Sequence, residues 1–515
     1  SDFCVDPFRN RILLTNSGVD QNILIFSDII TTPKAAGTFG VTGGILSGVA
    51  GQEGPLRFNN PTGVGVDKEG NIYVACAGTG LEAYSPSGSR LWEVLSLLFV
   101  DCVDVLPGKE TTIYGVGERF EMDYSKTKPG TEWSYKAGTL NRFKYPQDAR
   151  VNGSLSTVHT RTIDGKTFLY MTGMYGEALR VYRFNPATDG EIAIPCALFG
   201  PSESKDAWPP NRPLRGEWLW VDGNGDGAFA ADEFTQPVNP AANTGHYAWY
   251  PDERGTVWTV NGATGRIRSF PCTGLDRNGS PLYRSDRIEE VDPPAVLTSV
   301  NFLLYDQPTD VMYLTGYSQK YPTSGGYGGG VVGHALVRIN EWSTGNRTPA
   351  WEAEVPMDVP KDLFCKSICM AGDYLFAVEC RRKNTVYVFS KATGTMVSEL
   401  NLGPAVGSKQ GWVDIPYGIN AYQRSNGEYL VFVEDDGYLK NIIYRVKDGV
   451  PLKPAVPSFS PRAGTFDGTT TVAITCPVPG ATIRYTTDGS VPTVTTGTVY
   501  AAPLSITART VLKAI

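Results

Sequence analysis

Short segments in which apolar and polar residues alternate recur along most of this 515-residue chain. In the clearest one, residues 61–88 (PTGVGVDKEGNIYVACAGTGLEAYSPSG), two alternating runs flank the turn sequence KEGN, and a Gly-rich bend leads to a third run. A period of two places successive side chains on opposite faces of a β-strand, and Gly, Asn, Asp and Pro end strands. The pattern predicts antiparallel strands joined by tight turns, and we find no amphipathic pattern of three helical turns.

A strand-rich unit of about 50 to 60 residues recurs as far as residue 446, which is close to the length of a propeller blade. The copies lie at 11–28, 61–88, 101–137, 166–189, 246–271, 297–340, 373–402 and 416–446. A small sheet of this kind buries both faces only by stacking against neighbours around a ring. The sequence therefore predicts an all-β, seven- or eight-bladed β-propeller. The number is seven if the first and last units share one blade.

Two of these units resemble known propeller repeats. Residues 61–88 are similar to the NHL-type repeat, although Cys76 stands where that repeat usually has an acidic residue. Residues 373–402, through the strand and turn VYVFSKATG, resemble the repeats of quinoprotein propellers. Both resemblances imply the fold, and a fold by itself assigns no activity.

The composition changes after Val446. Residues 447–461 (KDGVPLKPAVPSFSP) contain four prolines and no periodic pattern, which is typical of a stiff linker. The predicted domains are thus the propeller at 1–446, with a loop insertion at 222–233, the linker at 447–461 and a second β domain at 462–515.

The last domain consists of four short alternating segments around PGATIRYTTDGSVPT, and its central residues are Tyr485, Thr487, Asp488, Gly489 and Pro492. It resembles the C-terminal β-sandwich of chitobiases and β-hexosaminidases, which implies an immunoglobulin-like β-sandwich. That module recurs in exported bacterial proteins, so the resemblance implies an extracellular or cell-surface location. The catalytic barrel of those enzymes does not accompany it, so no glycosidase chemistry is implied. Because the module normally closes or continues after a strand such as TVLKAI, we also expect a longer parent chain.

Composition and charge exclude several classes of function. The formal net charge is -7 and no run of Lys or Arg occurs, so the chain lacks the basic surface that nucleic acid requires. No stretch of 18 apolar residues is available to span a membrane. With 57 Gly, 36 Pro, 11% aromatic and only 19% charged residues, the composition is typical of an all-β protein.

The nine cysteines form no CxxC motif. Several lie inside apolar strand segments, which favours buried free thiols. Export would allow one or two disulfides, for which Cys365, Cys369 and Cys380 are the best candidates. A zinc site is not expected, because the three histidines do not lie near a cysteine pair.

The sharpest local motif is DGNGDGAFAADE at residues 222–233, which satisfies the calcium-loop pattern D-x-[DN]-x-[DN]-G-x5-E at every position. Ca²⁺ requires six to eight oxygen ligands. The predicted ligands are the side chains of Asp222, Asn224, Asp226 and Glu233 and the carbonyl of Ala228, and Gly227 allows the sharp turn. The ninth loop position is Ala230, so a water is expected to fill that coordination position. The flanking segments predict strand and loop instead of EF-hand helices, so we expect Ca²⁺ to staple the structure and not to switch it.

A second candidate site surrounds one histidine. Aromatic rings and carboxylates near it suit a sugar ring, and the candidate ligand-binding residues are His246, Tyr247, Trp249, Tyr250 and Asp252. The alternative is that these aromatic side chains pack between blades. His159 is more typical of a hydrogen-bonded structural histidine.

No catalytic residue is identified from the sequence. GxSxG, HExxH and a helix-linked GxGxxG are missing. The run Glu434-Asp435-Asp436-Gly437 is most simply a polar hairpin turn.

Two hypotheses about function follow. In the first, a secreted, bacterial-type propeller stabilised by calcium binds an extracellular glycan or a cell-surface protein. In the second, the mouth of the propeller holds the site of a carbohydrate-active or quinone-dependent enzyme. The quinone version lacks the pair of adjacent cysteines that often accompanies that cofactor.

Overall fold

The computed structural model describes residues 2–95, 100–153, 155–174, 176, 178–200, 208–238, 240, 248–324, 330–381, 384–403, 406, 412–436, 440–447, 457–476 and 481–515. Its regular structure is almost entirely β-strand. The described α-helices are single turns, α1 (Ala149–Asn152) and α2 (Pro186–Asp189). Short 3-10 turns lie at Gly44–Leu46, Ala231–Glu233, Ser285–Arg287, Gln307–Thr309, Trp342–Thr344 and Val359–Lys361.

Eight antiparallel sheets, which we number I to VIII, follow one another along the chain, and each is built from consecutive strands. Sheet I contains β1 (Phe3–Asp6), β2 (Arg11–Asn16), β3 (Asn22–Ser27) and β4 (Lys34–Phe39). Sheet II contains β5 (Pro61–Val66), β6 (Ile72–Cys76), β7 (Gly80–Tyr84) and β8 (Arg90–Leu95). Sheet III contains β9 (Asp104–Val105), β10 (Thr112–Tyr114), β11 (Glu118–Met122) and β12 (Trp133–Gly138). Sheet IV contains β13 (Thr157–Ile163), β14 (Lys166–Thr172), β15 (Leu179–Phe184), β16 (Ala193–Gly200), β17 (Trp218–Val221) and β18 (Phe234–Thr235).

The remaining four sheets repeat this plan. Sheet V contains β19 (Tyr250–Pro251), β20 (Val257–Val260), β21 (Ile267–Phe270) and β22 (Glu289–Val291). Sheet VI contains β23 (Leu297–Asp306), β24 (Val311–Ser318), β25 (Ala335–Asn340) and β26 (Pro349–Glu354). Sheet VII contains β27 (Cys365–Ala371), β28 (Tyr374–Glu379), β29 (Val386–Ser390) and β30 (Met396–Leu400). Sheet VIII contains β31 (Ile419–Gln423), β32 (Tyr429–Asp435) and β33 (Lys440–Val446). The eight sheets confirm the all-β propeller with its seven or eight blade-type units.

Burial explains why the middle strands lose the alternation of apolar and polar residues. Every residue of β16 and of β32 is buried, because neighbouring sheets cover both faces of these strands. A strand covered on both faces needs a nearly continuous apolar run. In contrast, β8 at the outer edge of sheet II is partly or fully exposed along its whole length.

Six of the eight sheets surround a central channel. A cavity of about 70 Å³ in this channel is lined by residues from the first strand or strand approach of sheets III to VIII. Contacts between neighbouring innermost strands run from β9 to β13, from β23 to β27, from β27 to β31 and from β31 back to β9. The ring therefore closes between sheets VIII and III, and sheets I and VIII remain separate instead of sharing one blade.

A buried side chain joins the two sides of this closure. The Asn420 Nδ2 donates to the carbonyl of Val103 at 2.8 Å and to that of Val158 at 3.2 Å. Leu430 and Phe432 of sheet VIII pack in one core with residues of sheet III. The closure thus rests on packing and side-chain hydrogen bonds.

Sheets I and II lie beside the outer edge of sheet III. The Gly138 N–H donates to the carbonyl of Gly51 at 2.9 Å, and the Glu53 N–H donates to that of Lys136 at 2.9 Å. Both bonds join the connection between β4 and β5 to β12, the last strand of sheet III.

The C-terminal module has two three-stranded sheets. One contains β34 (Ser458–Ser460), β35 (Thr470–Thr475) and β38 (Leu504–Ile506), and the other contains β36 (Arg484–Thr486), β37 (Thr498–Val499) and β39 (Lys513–Ala514). Val472 and Ile474 are buried in this small domain, and the rings of Tyr485 and Tyr500 meet edge to face with centroids 6.3 Å apart.

No disulfide joins any of the nine cysteines. The pairing that export would allow among Cys365, Cys369 and Cys380 is not formed, and these three thiols are buried in or beside the strands of sheet VII. Among the described helices, none is long and apolar enough to cross a membrane.

Candidate functional site

Acidic residues gather where the innermost strands begin, at one mouth of the channel. Asp101 precedes β9, Asp414 precedes β31, and Glu434 and Asp436 lie at the end of β32. Carboxylate oxygens of Asp414, Glu434 and Asp436 lie within 4.8 Å of one another. We call these three residues the mouth cluster.

The backbone of sheet VIII fixes the position of Glu434. Its Oε2 accepts hydrogen bonds from the N–H groups of Asp414 (3.1 Å) and Ile415 (3.3 Å). The Glu434 N–H donates to the carbonyl of Gly418 at 2.9 Å. A Cβ at Gly418 would lie 2.4 Å from Glu434 Oε2, so glycine allows the close approach of this carboxyl to the backbone.

Burial makes the mouth cluster electrostatically unfavourable when all of its groups are ionised. Burial, reinforced by the neighbouring Asp414 and Asp101, raises the pKa of Glu434 to about 11. Burial and the charges of Asp414 and Asp436 also raise the pKa of Asp101 to about 7. Without a counter-ion the cluster therefore holds at least one proton at neutral pH.

Basic and aromatic side chains border the cluster. Burial lowers the pKa of Lys366, at the start of β27, although Asp414 and Glu434 oppose that shift. The Arg381 guanidinium lies 5.2 Å from the centre of the Trp412 ring. Trp412 is 52% exposed, and its carbonyl accepts the N–H of Asp436 at 3.0 Å. An exposed tryptophan thus lies next to the mouth cluster along the backbone.

Deeper in the channel, the protein itself holds Arg161, whereas the buried Nε2 of His159 has no hydrogen-bond partner among the described residues. Burial lowers the pKa of His159 to about 3, so this imidazole is neutral at physiological pH. Its ring lies 6.1 Å from those of Tyr250 and Tyr417. Arg161 Nε donates to the carbonyls of Pro251 (2.9 Å) and Asp252 (3.1 Å). The hydrogen bonds of Arg161 are those of a structural arginine. The hydrogen-bonded structural role expected of His159 stays a prediction.

The predicted ligand-binding set is only partly described. His246 and Tyr247 lie outside the described residues. Trp249 is buried and its Nε1 donates to the carbonyl of Gly176 at 2.8 Å. Tyr250 is also buried, and both rings contribute to the channel lining.

Asp252, the last member of that set, is fully engaged within sheet V. It accepts hydrogen bonds from Trp258 Nε1 (2.9 Å) and from the N–H groups of Arg254 and Thr256 (3.0 Å each). The three described side chains therefore pack inside the protein, as the alternative interpretation expected. A ligand-binding role for the set stays a prediction.

The calcium-type loop connects β17 to β18, a hairpin added to the outer edge of sheet IV. Asp222 is fully buried, and its Oδ1 accepts the N–H of Gly225 at 2.8 Å. Asn224 Oδ1 accepts the N–H of Asp226 (2.8 Å), and Asp226 Oδ1 accepts that of Ala228 (2.7 Å). These successive side-chain-to-backbone turns orient the oxygens of three predicted ligands.

Glu233 closes the loop through hydrogen bonds. Its Oε1 accepts the N–H groups of Gly223 (2.9 Å) and Asn224 (3.2 Å), while Oε2 accepts Trp220 Nε1 (3.0 Å). Among the described carboxylates, only the mouth cluster brings three groups within 4.8 Å of one another, so the acidic side chains of the loop are more widely spaced.

The loop residues nevertheless fit a calcium ion in chemistry and in backbone shape. Gly227 has a φ of 70°, as the sixth position of such a loop requires, and a Cβ there would lie 2.9 Å from the Tyr145 ring. Burial raises the pKa of Asp222, while Arg183 Nη2 lies 3.3 Å from its Oδ2. To bind the ion, Glu233 would exchange its N–H donors for the cation.

The sequence pattern predicts a polar hairpin turn at residues 434–437 and gives no indication of the mouth cluster. Glu434 is in fact 1% exposed. The sequence does contain one indication of this site. Asp101, Asp414 and Glu434 each follow a valine in a mostly apolar segment (FVDC, WVDI and FVED). An acid in a strand that is buried on both faces indicates a site more often than a solvated turn.

Comparison with known proteins identifies the C-terminal module. Residues 461–515 match the model of the chitobiase/beta-hexosaminidase C-terminal domain. This match confirms the resemblance noted for that part of the chain. No curated protein matches the sequence.

Solved structures with some likeness to this chain share little sequence with it. Sqt1 of Saccharomyces cerevisiae is 10% identical, with a TM-score of 0.26, over 86% of this chain and 95% of that one. A glucose dehydrogenase is 11% identical, with a TM-score of 0.29, over 68% and 96%. The C-terminal WD40 domain of Sif2 is 9% identical, with a TM-score of 0.27, over 87% and 96%. Likeness at this level assigns no function.

Proposed function

We propose that this protein is a secreted, bacterial-type glycan-binding propeller whose ligand sits at the channel mouth, beside Asp414, Glu434 and Asp436. The observation that carries the proposal is the exposed Trp412, whose backbone carbonyl accepts the N–H of Asp436 in the mouth cluster. Sugars are bound by combining an aromatic face with hydrogen bonds to their hydroxyl groups. Trp412 offers the aromatic face, and the neighbouring carboxyl groups can form the hydrogen bonds to sugar hydroxyl groups.

The extracellular location and the role of calcium belong to the same proposal. The C-terminal module supports export, since it resembles an accessory domain of exported proteins. The loop at 222–233 would take Ca²⁺ as a structural ion, with Asp222, Asn224, Asp226, Glu233 and the Ala228 carbonyl as ligands. The proposal also includes a relationship of residues 61–88 to NHL-type repeats and of residues 373–402 to quinoprotein repeats.

One observation favours an enzymatic alternative. Glu434, with a pKa raised by burial, keeps its proton at neutral pH, as a general acid for glycoside cleavage must. This alternative predicts new reducing ends or unsaturated products when the protein is incubated with a polysaccharide that it binds. Binding without products would leave the non-catalytic proposal standing.

A glycan array followed by calorimetry tests the proposal. Trp412→Ala should weaken binding of the selected glycan at least about tenfold, which corresponds to about 1.4 kcal/mol. Trp92→Ala is the matched control, because Trp92 is also well exposed but lies on the outer strand of sheet II. Equal affinity for both variants, or no glycan bound by the unaltered protein, would overturn the proposal.

A further inference from the structure

The mouth cluster collects more negative charge than its surroundings neutralise. Glu434 is only 1% exposed, and no N–H group of the described residues reaches its Oε1, whose neighbour is the carboxyl group of Asp414. The same holds for the buried Oδ1 of Asp414. Buried carboxylate oxygens normally have partners, so two such atoms side by side need either a shared proton or a bound cation between them.

Lys366 offsets part of this charge, since it interacts electrostatically with Asp414 and Glu434, while burial lowers its pKa. Arg381 lies 4.0 Å from Asp362 and 5.2 Å from the centre of the Trp412 ring. A bound cation would balance the charge that remains at the mouth.

We propose that Asp414, Glu434 and Asp436 form a second cation site, which holds a hard divalent metal ion of the calcium type at the channel mouth. The donor set consists of carboxylate oxygens, which favour Ca²⁺ or Mg²⁺ over softer metals. Their spacing, within 4.8 Å of one another, is compatible with one shared ion.

The shape of the site fits an ion that enters from solvent. Asp414 and Asp436 are partly exposed, while Glu434 forms the buried floor. Glu434 Oε2 is held by two N–H groups, which leaves Oε1 for the ion. Asp101 adds negative charge nearby, and water completes the coordination.

This site is distinct from the loop at 222–233 and does not depend on glycan binding. It also excludes the enzymatic alternative in its simplest form, because a metal-bound Glu434 carries no proton to donate. The ion neutralises the repulsion that a proton otherwise relieves.

The test is calorimetric titration of the metal-stripped full chain with CaCl₂ and, separately, with MgCl₂. The starting variant is Glu233→Gln, in which the loop has lost its closing carboxylate. We expect this variant to bind one ion, and Asp436→Asn added to it should weaken that binding more than tenfold.

Two further variants complete the test. Glu434→Gln, nearly identical in size to the native side chain, should also abolish the ion in the Glu233→Gln background, and circular dichroism checks that each variant is folded. Asp292→Asn removes an exposed carboxylate that pairs with Arg266 and should leave binding unchanged. The proposal is overturned if the Glu233→Gln protein binds no divalent ion, or if binding persists in both mouth variants.

Discussion

Single buried acids in the ring carry a cost that depends on pH. Glu118, on β11, is an example outside the mouth: burial raises its pKa to about 7, with the N–H of Gly117 (3.1 Å) and the charge of Arg150 opposing the shift. Between pH 4.5, its ordinary pKa, and about pH 7, Glu118 is protonated in a larger fraction of the folded protein than of the unfolded chain. The stability that it contributes is therefore present at low pH and is lost as the pH rises through that interval.

Replacing Glu118 by glutamine should remove this dependence. We expect the free energy of unfolding of Glu118→Gln, relative to the unaltered protein, to increase by up to about 1.4 kcal/mol per pH unit between pH 4.5 and 7. Urea denaturation at pH 5, 6, 7 and 8 measures the difference. Glu69→Gln, in an exposed turn, is the control and should show no such trend. Parallel pH profiles for Glu118→Gln and the unaltered protein would contradict the expectation.

At the scale of elements, the hairpin that holds the calcium-type loop is an addition to the edge of its sheet. Strands β17 and β18 extend sheet IV beyond the usual four strands, and the loop between them is ordered by its own Asx turns. Trp220 and Phe229 pack beneath it with centroids 4.4 Å apart. A bound ion would thus add to the packing that already holds this edge hairpin.

Calcium should therefore raise the melting temperature through this hairpin. At a Ca²⁺ concentration of 100 times the Kd, we expect the free energy of unfolding to increase by about 2.7 kcal/mol. The substitution Glu233→Gln should abolish this increase. Scanning calorimetry in an Asp436→Asn background keeps the mouth cluster from contributing. Asp232→Asn is the matched control, because Asp232 is exposed at the eleventh loop position, which supplies no ligand. A gain that survives in Glu233→Gln would argue against the loop as the site.

The sequence predicts those turns and loops whose structure is decided by residues close together along the chain. The turn between β5 and β6 and the loop at 222–233 follow from residues close in sequence, so both were predicted. The mouth cluster was not, because Asp414 comes before β31 and meets Glu434 and Asp436 only when β31 pairs with β32. Asp101 adds its charge only when sheet VIII docks on sheet III. For the same reason, no local pattern revealed which sheets surround the channel.

At the scale of the whole molecule, side-chain contacts between sheets VIII and III close the ring. A strand shared between first and last blades would close it with a ladder of backbone hydrogen bonds. Here Asn420 and an apolar core join sheet VIII to sheet III. Arg424 also pairs with Glu110 across the same boundary at 3.0 Å.

Asn420→Ala should consequently destabilise the propeller out of proportion to its size. It leaves two buried carbonyls without their donor and opens a small cavity, for which we expect a loss of about 2 to 4 kcal/mol. Asn426→Ala, in an exposed turn of the same sheet, should cost below about 1 kcal/mol. Guanidinium denaturation compares the two, and equal losses would show that the closure does not depend on Asn420.

The Asn441 side chain of the last propeller strand donates to the carbonyl of Val100, just ahead of the first ring strand, at 2.5 Å. The chain thus enters and leaves the ring at nearly the same point. A circular permutant that joins residue 446 to residue 100 through a short linker would keep all six ring sheets intact. New termini could then be opened in the exposed turn at 425–427, with sheets I and II and the C-terminal module left out. Such a minimal ring would show how much of the stability and binding belongs to the ring alone.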